Sequence, residues 1–104
     1  MKIRVVSAAI LLVVFFFVAC SDSAPAGAPV NAQEVYIKRC ATCHGSEGNL
    51  EMGGAKKIVN STLSKQEIKN QILYGKGKMP PFQEVLTGAE VDALTDYAFT
   101  LSGR

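Results

Sequence analysis

The run Cys40-Ala41-Thr42-Cys43-His44 is the part of this sequence that most restricts its fold. Two cysteines lie three positions apart, and a histidine follows the second one directly. Covalent attachment of haem needs this arrangement, because two thiols form thioethers with the porphyrin vinyl groups while the imidazole reaches the iron. The run therefore predicts one haem c, attached through Cys40 and Cys43, with His44 as an iron ligand.

Three other uses of the same residues have to be considered. A thioredoxin-like redox pair would also use Cys-x-x-Cys, but it is expected beside a βαβ pattern, and the sequence shows none. A structural disulfide between Cys40 and Cys43 would leave His44 without a role. A structural zinc site needs four nitrogen or sulfur ligands, whereas only these three residues are offered here.

The N-terminal residues have the features of an export signal. Lys2 and Arg4 precede an apolar run over residues 5–19, which ends at Cys20. The run is shorter than the ~20 residues that a transmembrane helix needs, so we expect a signal peptide over residues 1–19. The sequence leaves open that this segment stays uncleaved as an anchor.

The sequence Phe17-Val18-Ala19-Cys20 resembles a bacterial lipobox, although the family prefers leucine at the position of Phe17 and alanine or serine at that of Val18. The resemblance implies that Cys20 is lipidated and becomes the mature N-terminus. Residues 20–31 contain mainly small residues and proline, which predicts a flexible tether with a reach of about 20 Å. The domain itself is expected over residues 32–104.

The charge of the chain argues against a nucleic-acid partner. Eleven basic and nine acidic residues give the precursor a net charge of +2. Lys2 and Arg4 leave with the signal peptide, so the mature protein is close to neutral. Binding to phosphate backbones needs a basic excess, which this chain lacks.

Three helix starts follow the tether, and the sequence predicts an all-α fold. Each start has a polar residue with glutamate three positions later, as in a capping box. The last helix places Val91, Leu94, Ala98 and Leu101 on one stripe, with Asp92 and Asp96 off it. No alternation long enough for a strand appears after residue 31. The three pairs are Asn31 with Glu34, Ser64 with Glu67, and Thr87 with Glu90.

From about Asn31 to Arg104 the chain resembles the class I c-type cytochromes. They have Cys-x-x-Cys-His near the start of a small domain of three to four helices packed around one haem. Their C-terminal helix lies across the N-terminal one, which implies a contact between Tyr97 and Tyr36. The family often has Gly-Pro after the attachment run to orient the histidine. Here Met52-Gly53-Gly54-Ala55 occupies that segment, so another carbonyl in this loop is expected to do so.

The resemblance also implies a methionine as the second axial ligand. His44 is the only histidine, so a bis-histidine haem within one chain is excluded. Met52 lies only eight residues beyond His44, whereas Met79 stands between two helices and is followed by Pro80 and Pro81. Prolines keep that segment out of a helix and suit a loop held against the haem. We therefore expect Met79 to be the sixth ligand.

With both axial positions filled by the protein, the predicted function is one-electron transfer and not enzymatic catalysis. The expected partners are redox proteins such as a respiratory oxidase, reductase or dehydrogenase, contacted by a monomer that a lipid anchors on the periplasmic or extracytoplasmic side of a membrane. Two alternatives stay open. One is a peroxidase-like haem enzyme or gas sensor with a labile sixth site. The other is a fixed subunit of a larger respiratory complex.

Overall fold

The computed structural model describes residues 27–104, and the predicted signal peptide, the lipidated Cys20 and most of the predicted tether lie outside that range. The described residues form four α-helices: α1 over Ala32–Arg39, α2 over Ala41–His44, α3 over Lys65–Tyr74 and α4 over Gly88–Leu101. A 3₁₀ turn covers Met52–Gly54. Within residues 27–104 there is no β-strand, so the predicted all-α class is confirmed. No helix of this part of the chain has the length and apolar character to cross a membrane.

The three predicted helix starts are all present, because each is fixed by contacts only three residues apart. The Asn31 side chain accepts a hydrogen bond from the backbone of Glu34, 3.1 Å away, at the start of α1. Ser64 before α3 and Thr87 before α4 each form a complete capping box with the glutamate three residues later. Each such cap stabilises its helix by about 1 kcal/mol.

The core lies where α4 packs against α1 and α3. Its buried apolar side chains come from those three helices, and the predicted stripe on α4 is confirmed at three positions, with Leu101 half-buried. Ile37 is 47% exposed, because its position next to Tyr36 turns it about 100° round α1, away from α4. The buried set is Tyr36, Ile68, Ile72, Val91, Leu94 and Ala98.

Tyr36 joins the first and last helices. Its ring packs against Tyr97 at a centroid distance of 5.1 Å with the planes tilted by 53°, as the resemblance implied. Its hydroxyl donates to the carbonyl oxygen of Gly45, 2.7 Å away, at the end of α2. One side chain thus connects α4 to the backbone directly after His44.

Two charged residues beside the stripe on α4 form ion pairs with lysines of α3. Lys65 pairs with Asp96 and Lys69 with Asp92, each at 2.6 Å. All four side chains are largely exposed, so each pair contributes about 0.2–1 kcal/mol. They therefore add only a little to the packing of α4 on α3.

Tyr36 should make the domain sensitive to alkali. Burial, with Cys40 and Tyr97 nearby, raises the pKa of its hydroxyl to about 12, whereas an unfolded tyrosine titrates near about 10. The folded state therefore holds this proton more tightly, and its stabilising effect is complete below pH ~10 and is lost as the pH rises through ~12. Denaturant unfolding followed by helix ellipticity should show the free energy of unfolding falling over this range.

The variant Tyr36→Phe separates this effect from other alkaline changes. At pH ~8 it should lower the free energy of unfolding by about 1–2 kcal/mol, because the Gly45 carbonyl loses its donor. Above pH ~10 its stability should fall less steeply than that of the unaltered protein. The matched control is Tyr74→Phe, since Tyr74 is 64% exposed. An equally steep decline in Tyr36→Phe would contradict the assignment.

Candidate functional site

Cys40 lies at the bend between α1 and α2, and Cys43 lies within α2. Cys40 ends α1, where its backbone N–H donates to the Tyr36 carbonyl at 2.8 Å, and it also begins α2. Its side chain is half-buried and packs against the core, whereas Cys43 is exposed. The two thiols are therefore presented one helical turn apart, with one against the core and one at the surface.

The state of these thiols argues against the disulfide and thioredoxin-like alternatives. Cys40 and Cys43 are both free, so no disulfide joins them. Burial raises the pKa of the Cys40 thiol to about 11, with a further contribution from Cys43. A redox-active pair needs an accessible thiolate with a lowered pKa. Cys40, which is half-buried and has a raised pKa, does not fit the role of the attacking thiol in such a pair.

His44 is held in one tautomer by the backbone. Its Nδ1 lies 2.8 Å from the carbonyl oxygen of Lys56. A carbonyl can only accept, so Nδ1 carries the proton and donates it, which leaves the lone pair on Nε2. This is the arrangement in which a metal-binding imidazole is oriented by a second hydrogen bond. The acceptor lies one residue beyond the segment 52–55 in which the sequence led us to expect it.

The loop after α2 folds back to bring that carbonyl to His44. The N–H of Leu50 donates to the His44 carbonyl at 2.9 Å, and the N–H of Ile58 donates to the Gly48 carbonyl at 2.7 Å. Gly48 is buried, and a Cβ atom at that position would lie 3.1 Å from that of Ile58. The close approach at Gly48 therefore closes the loop on which Lys56 lies.

Met79 closes a tight turn between α3 and α4. The N–H of Lys76 donates to the Met79 carbonyl at 3.1 Å, and the N–H of Met79 donates back to the Lys76 carbonyl at 3.0 Å. Gly77 allows the turn, with φ of +60°. The Met79 side chain is half-buried and packs against the core, whereas Met52 is 56% exposed. Of the two methionines, Met79 is the one held in a defined position.

The structure brings the Met79 turn close to the loop that follows His44. A Cβ atom on Gly54 would lie 3.9 Å from Cδ of Lys78, which directly precedes Met79. Gly54 is two residues from Lys56, whose carbonyl orients His44. Cys40 and Met79 both pack against the same core. The Met79 turn thus lies beside the loop that follows His44, although the two are far apart in the chain.

The donor set fits a covalently attached haem. It comprises two free thiols, one imidazole with its lone pair on Nε2 and one thioether. Among residues 27–104 no group of three or more His, Cys, Asp and Glu side chains is arranged to hold a metal ion, which disfavours the zinc alternative. Many apolar side chains are only half-buried, as a domain that packs against a large apolar group requires. Beyond Cys40 and Met79 they include Val35, Ile58, Leu63, Leu73, Phe82, Leu86, Tyr97, Phe99 and Leu101.

Sequence reasoning missed the backbone groups at this site. The carbonyls of Lys56 and Gly45 orient His44 and Tyr36, but neither residue type reveals this role. The glycines of the loops were the available signal. At Gly75 the backbone of another segment approaches too closely for a side chain, and at Gly48 the Ile58 side chain lies against the position that a Cβ atom would take.

Comparisons with known proteins indicate the family of this chain. Residues 27–97 match the family described as cytochrome c oxidase, cbb3-type, subunit III. Cytochrome c6 of Euglena gracilis is 34% identical over 79 residues, which cover 67% of this chain and 88% of that protein. Cytochrome c6 of Gloeothece citriformis is 31% identical over 100 residues, or 90% of each chain.

A solved structure shares the fold. The KustC0563 c-type cytochrome superposes with a TM-score of 0.61 at 32% sequence identity, over 71% of this chain and 96% of its own. Together with the attachment run and the oriented His44, these similarities show that the chain belongs to the c-type cytochrome family.

Proposed function

We propose that this protein is a monomeric class I cytochrome that carries single electrons between redox proteins. Cys40 and Cys43 hold one haem c covalently, and His44 and Met79 bind its iron. The observation that carries this proposal is the hydrogen bond from His44 Nδ1 to the Lys56 carbonyl, which leaves Nε2 as the donor atom. The bound haem supplies a one-electron exchange between Fe(II) and Fe(III).

Met79, as the sixth ligand, would set the reduction potential of the haem and the access of other molecules to its iron. Its thioether is a soft, neutral donor that favours Fe(II) and so raises the reduction potential. Packing against the core acts in the same direction, because an apolar environment disfavours the state with the extra positive charge. If His44 and Met79 both bind the iron of the bound haem, no iron position would be left for a substrate. This supports electron transfer and argues against an enzyme.

The N-terminal sequence supports a location outside the cytoplasm. An export signal over residues 1–19, a lipidated Cys20 and a tether over residues 20–31 would hold the domain of residues 32–104 at the periplasmic or extracytoplasmic surface of a membrane. A tether with a reach of about 20 Å lets a small domain turn toward different partners. Respiratory oxidases, reductases and dehydrogenases are the partner classes that fit such a carrier.

A second candidate function is that of a fixed subunit of a respiratory oxidase. It is favoured by the match of residues 27–97 to the cbb3-type subunit III family. The haem site would be the same in both cases. Separation of solubilised membranes by size distinguishes them, since a free carrier migrates as a small monomer and a subunit migrates with the oxidase.

The proposal is tested by producing the full chain together with a cytochrome c maturation system. Haem that stays with the denatured protein would establish the attachment, and the charge-transfer band of iron–methionine ligation in the oxidised protein would establish the sixth ligand. The reduced protein should not bind carbon monoxide readily at neutral pH. Ready binding would instead indicate the open site of a haem enzyme or gas sensor.

A further inference from the structure

Gly75 lies at the point where α3 ends and the turn to Met79 begins. It follows the last residue of the helix, and its N–H donates to the Gln71 carbonyl at 2.9 Å. Its φ of +70° is in the left-handed region that glycine adopts without cost. Its ψ of 175° departs from the usual helix C-terminus, and this combination of angles is essentially confined to glycine.

The contacts of Gly75 are not ordinary. A Cβ atom at this position would overlap the carbonyl oxygen of Met79 and would lie 2.9 Å from both the carbonyl carbon of Pro80 and the nitrogen of Pro81. Non-bonded heavy atoms prefer about 3.5–4.0 Å. All three neighbours are backbone atoms, so no rotation of a side chain relieves the overlap. The backbone of residues 79–81 therefore rests directly on Gly75.

The chain that follows residues 79–81 is also held in place. The N–H of Phe82 donates to the Ile72 carbonyl at 3.0 Å, and that of Gln83 donates to the Leu73 carbonyl at 3.2 Å. These bonds use carbonyls in the last turn of α3 and hold the chain after Pro81 on the helix. A group inserted at position 75 would therefore displace the backbone between these anchors, and Met79 lies in that part.

Gly77 provides an internal comparison. It lies on the same turn and also has a positive φ, of +60°. A Cβ atom at Gly77 would meet nothing within 4 Å. Both glycines have a positive φ, but only Gly75 is in contact with the Met79 segment.

We propose that Gly75 is a positioning residue for the sixth ligand, because the absence of a side chain lets the Met79 backbone lie against the end of α3 and so sets how far the Met79 sulfur reaches. This inference rests on the proposed ligation by Met79. It identifies α3 as the element that controls the lability of the sixth site. A side chain at position 75 would weaken the bond between Met79 and the iron, so that other ligands could bind at the sixth position.

The test compares Gly75→Ala with Gly77→Ala in the haem-loaded full chain. In each variant, helix ellipticity at increasing denaturant reports folding, and the iron–methionine band, the reduction potential and carbon monoxide binding report the sixth ligand. Gly75→Ala should lose most of the band while its helices remain folded, have a lower reduction potential and bind carbon monoxide when reduced. Gly77→Ala introduces backbone strain at a positive φ but no overlap, so it should keep most of the band and a potential close to that of the unaltered protein.

The outcomes separate this inference from the proposed function. A band in Gly75→Ala as strong as in Gly77→Ala would overturn the positioning role, and so would a Gly75→Ala protein in which band and helices are lost together. If the unaltered protein has no band, the ligation by Met79 is wrong and the role of Gly75 fails with it. If the unaltered protein has the band, the ligation by Met79 stands, and the comparison of the two variants tests the positioning role of Gly75.

Discussion

Replacement of Met79 by alanine is expected to open the sixth iron position. Alanine has no donor atom, so the iron–methionine band should disappear, the reduction potential should fall and carbon monoxide should bind the reduced protein. The free energy of unfolding should fall by about 1–2 kcal/mol, since a half-buried methionine loses roughly half of what a fully buried one does. Absorption spectra with and without carbon monoxide, together with a redox titration, measure these changes.

Met52→Ala is the matched control for this prediction. Met52 is 56% exposed and lies in the 3₁₀ turn near the loop that orients His44. Its replacement should leave the band and the potential unchanged and should alter stability by no more than about 0.5 kcal/mol. Loss of the band in Met52→Ala, with the band kept in Met79→Ala, would reverse the assignment of the two methionines.

Replacement of both Cys40 and Cys43 by alanine is expected to abolish covalent haem attachment, because no thiol at the site then remains to form a thioether. The described domain has only six buried apolar side chains, and a core of this size supplies roughly 3–5 kcal/mol. The variant should therefore also be much less stable than the haem-loaded protein. Haem staining of the denatured protein and thermal unfolding measure the two effects.

Cys20→Ala tests the third cysteine separately. If Cys20 carries the lipid, this variant should keep its covalent haem but appear without an acyl group and should no longer sediment with membranes. Intact-protein mass and membrane fractionation would show this. Haem retained by the double variant would contradict the attachment site, whereas acylated Cys20→Ala protein would contradict only the predicted anchor.

The helices illustrate how much local sequence can predict. The starts at Asn31, Ser64 and Thr87 depend on a side chain and a backbone N–H only three residues apart, so the pattern contains the whole interaction. The stripe on α4 likewise follows from helical periodicity. The one-turn helix α2 and the 3₁₀ turn were not predicted, because segments of three or four residues have no periodicity to recognise.

The choice of donor residues also came from the sequence, since thiol, imidazole and thioether groups are few and each occurs at an informative spacing. The sequence by itself determined the helical class, the attachment run, the single histidine and the preference for Met79. Only the tertiary structure decided that the Lys56 carbonyl orients His44 and that Gly75 supports the Met79 turn. The physical reason is that these contacts are made by backbone atoms, which every residue has, and their partners are chosen by the path of the folded chain.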